Sequence, residues 1–138
     1  MLDKYYIILA VAAFIVNPKN ELLIIKKSPY EMIDAGLWTV PGGKVRSNEP
    51  IIDCLKREIK EEVGLTIVSY QWIGEDVFDY NGEYFHGEHF FCPMKKINKI
   101  VLEKNLVDFR WLKKTEINQF QFHPNIKKEI YNIFKNFV

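Results

Sequence analysis

The sequence predicts an α/β fold in which a mixed β-sheet is sandwiched between helices. Three observations predict it. Strand-like apolar runs dominate the chain and are separated by turn residues. Two segments carry the helical apolar period instead, one in the middle and one at the end. Two helices and an excess of strands can bury their apolar faces together by layering helix, sheet and helix.

The chain has 138 residues, with 48% hydrophobic and 27% charged, a composition that suits one compact domain over 1–138. The first apolar run, "YYIILAVAAFIV" from Tyr5 to Val16, is shorter than the roughly 20 residues of a membrane span. Asp3 offsets Lys4 before it, so it lacks the basic start of a signal peptide. "NPKN" follows as a turn, then "ELLIIKK". Two strands joined by a turn, over about 5–16 and 21–27, explain both runs, the first as a buried central strand. A loop, "SPYEMIDAG", leads to "LWTVPGG", a short strand ending in a Pro-Gly-Gly turn. A helix is expected over about 50–63, with Pro50 at its first position and Gly64 as its left-handed terminator. Strands over 65–80 and 83–96 flank Asn81-Gly82, a strong hairpin signal. "VDFRWLKK" is a further strand. The last helix, over 123–137, aligns Ile126, Ile130, Ile133, Phe134 and Phe137 on one stripe.

Formal net charge is +1, which gives no clear nucleic-acid or membrane-binding surface. Cys54 and Cys92 are too sparse for a disulfide framework, so a reduced, cytoplasmic setting is expected. "HGEH" contains His86 and His89, which point to opposite faces of a strand and cannot share one zinc ion.

The middle helix carries the chemistry. On a wheel of about 100° per residue, Ile51, Ile52, Leu55, Ile59 and Val63 form the core arc. Asp53, Lys56 and Lys60 face solvent. Cys54, Arg57, Glu58, Glu61 and Glu62 fill the remaining edge, and Glu62 falls inside the apolar arc beside Leu55. Glu58 repels Glu61 and Glu62 at helical spacing. All three lie near the helix C-terminus, where the dipole disfavours anions. A carboxylate at the core edge also costs desolvation. The glutamates could be salt-bridged to Arg57, Lys56 and Lys60. A hard divalent cation, magnesium or manganese, would reverse all three penalties. Upstream, "PGGKVRSNEP" supplies glycines for close backbone approach and Glu49 in reach of the helix's first turn, while Arg57 can hold carboxylates in a bidentate pair.

From Gly43 the chain reads Gly, five residues, Glu49, seven residues, then Arg57-Glu58-Ile59-Lys60-Glu61-Glu62-Val63-Gly64-Leu65. This resembles the Nudix box at every defining position. Nine fixed positions over 23 residues make the match specific, and "LWTVPGGKV" and "VDFRWLKKTEI" beside it also resemble the family. Asn48 stands where the family often has glycine, and asparagine tolerates the left-handed backbone. The resemblance implies a Nudix-type α/β/α sandwich and an enzyme that hydrolyses a nucleoside diphosphate linked to another group. Glu58, Glu62 and the Gly42 carbonyl would hold magnesium or manganese. Glu61 would be a ligand or the base that activates water. Arg57 and Glu49 would hold the glutamates in place. Glu83 and Glu88 are alternative bases outside the box.

The intact box favours water attack at phosphorus over attack at a sugar carbon. The substrate expected is a small-molecule nucleotide, a nucleoside triphosphate or nucleotide sugar. Dinucleoside polyphosphates, RNA 5′-end pyrophosphates and a nucleotide-sensing module without turnover are the alternatives. ADP-ribose loses weight because Tyr80 stands where those relatives often carry proline. Tyr80 also fits a plain strand end. Lys44 is a candidate substrate contact. Among aromatic residues, Trp38, Phe78, Phe85, Phe122 and His123 could meet the base, with Phe122-His123 preferred at the entry of the last helix. A homodimer is compatible with the resemblance.

Overall fold

The computed structural model describes residues 6–31, 35–97 and 99–138. Tyr5, at the start of the first expected strand, and residues 32–34 of the expected loop lie outside them. Among the described residues the order is β1 (Ile7–Val16), β2 (Leu22–Lys27), β3 (Trp38–Thr39), β4 (Gly42–Lys44), α1 (Ile51–Val63), β5 (Gln71–Tyr80), β6 (Glu83–Pro93), β7 (Leu106–Leu112), a short 3₁₀ helix (Lys114–Gln119) and α2 (Pro124–Asn136).

β1 is the central strand, as its apolar run predicts. It runs parallel to β6 from Ile7↔Tyr84 to Val16↔Pro93. Its other edge is divided. β2 meets it antiparallel at Val16↔Leu22, and β4 takes Ala10 to Ala12. β5 pairs with β6, and β2 also pairs with β3 and β7. One parallel pairing among antiparallel ones makes the sheet mixed. The strand period of two divides the core. Val11, Ala13 and Ile15 pack with Leu55, Ile59 and Val63 of α1. Phe14 and Val16 pack with Ile126, Ile130, Ile133 and Phe134 of α2 on the opposite face. The result is the expected α/β/α sandwich. No described helix is long and apolar enough to cross a membrane.

Four local expectations are corrected. Pro50 is the N-cap, with φ −61° and ψ 145°, so the helix begins one residue later. The Pro-Gly-Gly segment does not simply turn, because Gly42 and Gly43 form β4 against β1. A Cβ on Gly42 would overlap the Val11 carbonyl oxygen, so only glycine lets the two backbones come this close. Residues 65–70 are not strand, since β5 begins at Gln71 opposite Phe91. Leu65 and Ile67 are buried there as core plugs under α1. Cys54, placed on the polar edge by the wheel, is fully buried, and its thiol reaches the Lys44 carbonyl at 3.5 Å. Asn48, Gly64, Asn81 and Gly82 all have the positive φ expected of them.

Candidate active site

Packing Leu55, Ile59 and Val63 onto the sheet fixes the rotation of α1 and turns its glutamate edge toward β4. Glu62 is 7% exposed, and its Oε1 accepts the Gly42 N–H at 2.8 Å. The Glu58 carboxylate lies against Gly43, where an added Cβ would overlap it. The two glycines therefore do different work. Gly42 admits the β1 backbone, and Gly43 admits a carboxylate.

Arg57 organises the edge. Its Nε donates to Glu49 Oε2 at 2.7 Å and its Nη2 to Glu49 Oε1 at 2.8 Å, a bidentate pair of the kind Arg57 can form. Nη1 donates to Glu58 Oε1 at 2.8 Å and to Glu61 Oε2 at 3.3 Å. Glu61 is half-exposed and also faces Arg46 at 3.8 Å. The Glu49 pKa is pulled down to about 2, chiefly by its hydrogen bonds from Arg57.

Glu62 shows the opposite behaviour. Burial pushes its pKa up to about 8, against the Gly42 hydrogen bond, and Glu58 and Glu103 push it further. Glu58 is raised by burial, opposed by Arg57, and raised also by Glu61 and Glu103. Arg57 beside Glu58 and Lys27 near Glu62 oppose these rises without cancelling them. A divalent cation fits such an oxygen set, and hard cations prefer it. Gly42 pairs with Ala12 of β1 and donates its N–H to Glu62.

Glu103 is a residue that sequence reasoning missed. It lies outside the box, between β6 and β7. Its backbone N–H donates to the Glu62 carbonyl at 2.9 Å, and Val101 N–H donates to the Val63 carbonyl. These long-range bonds bring a fourth glutamate beside the helix end, and no local sequence signal marks it. Glu83 and Glu88 sit elsewhere. Glu83 begins β6 at the hairpin. Glu88 stands opposite Val11, which stands opposite Gly43, so about 10 Å of sheet separates it from β4. Its carboxylate is held by Trp72 Nε1 and by His86 Nδ1, the latter at 3.1 Å. Glu75, His86 and Glu88 form a small cluster there. His89 points to the other face, toward Asp76 and Glu129.

A cleft of about 390 Å³ runs from Glu62 across the α2 face of the sheet. Glu62, Gly42, Gly43 and Lys44 line one end, and Phe78, Phe85, Tyr80 and His123 line the other. Ala10, Ala12 and Gly87 line it between them, small residues that leave it open. Phe78 and Phe85 stack with centroids 4.9 Å apart, and the Lys44 Nζ stands 5.7 Å from the Phe85 centroid. His123 is 6.1 Å from Phe78 and caps α2 by accepting the Asn125 N–H. Phe122 packs beside Phe120 rather than lining the cleft, and Trp38 does the same. Tyr80, which also reads as a strand end, lines it.

The family model for the NUDIX domain matches residues 7–134. The chain belongs to the Nudix family. Over 58 residues it is 41% identical to an 8-oxo-dGTP diphosphatase of Buchnera aphidicola, covering 42% of this chain and 44% of that protein. Over 69 residues it is 39% identical to an oxidized purine nucleoside triphosphate hydrolase of Danio rerio, covering 50% of this chain and 42% of that protein. The chain thus spans less than half the length of these curated relatives. Its fold matches the crystal structure of a MutT protein from Methanosarcina mazei Go1 with a TM-score of 0.82 and 26% identity, over 97% of this chain and 96% of that one. The Nudix domain of NrtR from Shewanella oneidensis, solved with ADP ribose, matches with a TM-score of 0.82 and 14% identity over 99% and 91% of the two chains. That second likeness concerns the fold.

Proposed function

We propose that this Nudix chain is a divalent-metal-dependent pyrophosphohydrolase acting on purine nucleoside triphosphates, oxidised guanine nucleotides among them. The observation that carries this reading is the cleft beside Glu62. It brings Glu62, the buried member of the carboxylate cluster, and the aromatic residues Phe78, Phe85 and Tyr80 into one lining. A phosphate chain and a flat base need those two surroundings at once. The printed activities of the Buchnera and Danio relatives support the choice of base.

Glu58, Glu62 and Glu61 would hold magnesium or manganese, with Glu103 beside them. The metal would supply neutralisation of phosphate charge and polarisation of the scissile phosphoryl group. The chain's own residues do the rest. Arg57 and Glu49 fix the carboxylates, so little reorganisation is needed as charge develops. Glu61, the most exposed of the four box glutamates, would take the proton of an attacking water. Lys44 lines the carboxylate end and extends its ammonium toward Phe85, where it can meet a phosphate oxygen. Phe78 and His123 flank the base.

The test is a panel of nucleoside triphosphates, ADP-ribose, nucleotide sugars and dinucleoside polyphosphates incubated with Mg²⁺ in ¹⁸O-labelled water. The expected result is nucleoside monophosphate and pyrophosphate from 8-oxo-dGTP and dGTP, with the label on phosphorus. Preferred cleavage of ADP-ribose or a dinucleoside polyphosphate would overturn the substrate. Binding without turnover across the panel would overturn the enzyme reading.

A further inference from the structure

The middle of the cleft, next to its aromatic end, contains a charged group that pyrophosphate chemistry does not use. Asp76 on β5 stands opposite Gly87 on β6, which stands opposite Ala10 on β1. All three line the cleft. Because Gly87 has no side chain, the Asp76 carboxylate lies over it, and an added Cβ there would overlap Oδ1. The Asp76 side chain is only 13% exposed. An anion so placed needs a partner. His89, 2% exposed, provides it: Nε2 meets Asp76 Oδ1 at 3.2 Å and Nδ1 meets Glu129 Oε1 at 2.9 Å. Asn132 Nδ2 holds the other Glu129 oxygen at 2.7 Å. Burial would lower the His89 pKa, but the two carboxylates outweigh it and raise it to about 9. The ring is then an imidazolium with both nitrogens donating. Among the described residues Asp76 Oδ2 has no hydrogen-bond partner.

We propose that Asp76 is the base-selecting residue of the cleft, accepting hydrogen bonds from the N1–H and 2-amino group of a guanine-type base. A carboxylate can only accept. Guanine offers it two adjacent donors. Adenine offers one amino group beside an acceptor nitrogen, which a carboxylate repels. Phe78 and His123 border the same space as flat surfaces for the ring. His89 and Glu129 are positioning residues that fix the carboxylate. Guanine and 8-oxoguanine share this edge, so Asp76 selects the base and not its oxidation. The inference rests on the nucleotide reading above.

Titration with dGMP and dAMP reads the pocket without turnover. The wild type is expected to prefer dGMP. Asp76→Asn, which keeps the shape and replaces an acceptor with a donor, is expected to weaken dGMP binding about 10- to 100-fold while leaving dAMP unchanged or tighter, since the amide no longer repels the adenine acceptor nitrogen. In turnover the same loss should fall on KM and not on kcat, equally for dGTP and 8-oxo-dGTP. An unchanged preference, or equal loss of both nucleotides, would overturn the proposal. A wild type that prefers dGMP but cleaves no triphosphate would overturn the hydrolase reading alone. Should Asp76→Asn fail to fold, Glu129→Gln loosens the clamp from the far side and is expected to weaken dGMP several-fold, with dAMP unaffected. An unchanged preference in that variant would count equally against Asp76.

Discussion

At the scale of single residues, Glu62 carries the sharpest consequence. Its pKa rises from an ordinary 4.5 to about 8 because it is buried among other carboxylates. Between those values the folded chain holds a proton that the unfolded chain has released. Stability of the metal-free protein therefore falls as pH rises from about 4.5 to 8, and the penalty is complete above 8. Denaturant unfolding in EDTA is expected to show a decline on the order of a few kcal/mol across this window. In Glu62→Gln the contribution of this group should vanish, and a decline of wild-type size would show that Glu62 is not its source. The same proton must leave before a cation binds, so Mg²⁺ affinity should rise with pH below 8. Arg57 acts differently. A lysine at 57 keeps the charge but not the fork that grips both Glu49 oxygens. Arg57→Lys is expected to lower activity about 10- to 100-fold, with the larger part recovered by excess Mn²⁺ if metal affinity is what suffers.

At the scale of elements, β4 and α1 work as one unit, and adjacent glycines test it. Gly42→Ala meets the β1 backbone, which cannot move aside. It is expected to cost about 1–3 kcal/mol or more of stability, seen as a lowered Tm. Gly43→Ala meets only the end of the Glu58 side chain. It should leave Tm close to wild type and reduce turnover about 100-fold, since small misplacements of reacting groups cost that much. If both variants lose stability equally, β4 is merely structural. These elements also show what a sequence exposes. The helix α1, its glycine stop and the Asn81-Gly82 hairpin were legible because periodicity and caps are local. Glu62 was legible for the same reason: helical spacing alone puts it at the core. β4 was not, because glycines carry no strand signal and pair only where a neighbour comes close. Residues 65–70 looked like strand because buried apolar residues read alike whether or not they find a partner.

At the scale of the whole molecule, function depends on contacts that no local pattern records. The divided edge of β1 is what seats β4 beneath α1. Glu103 reaches the carboxylates only because the segment before β7 bonds back to the end of α1. Asp76, His89 and Glu129 come from two strands and a helix. The box could be read from the chain, whereas the pocket that chooses a substrate needed the fold. One global result follows. Mn²⁺ or Mg²⁺ should raise Tm relative to EDTA, as any ligand selective for the folded state does. The increase should shrink in Glu62→Gln, and an equal increase would place the cation elsewhere. The central claim is that the carboxylate cluster and the cleft beside it form a nucleotide pyrophosphohydrolase. Its most direct test is pyrophosphate release from 8-oxo-dGTP in Mg²⁺ by the wild type and by Glu62→Gln at matched folded concentration. The prediction is steady release by the wild type and a loss of at least about 100-fold in the variant. No release by the wild type, or equal release by both, would contradict it.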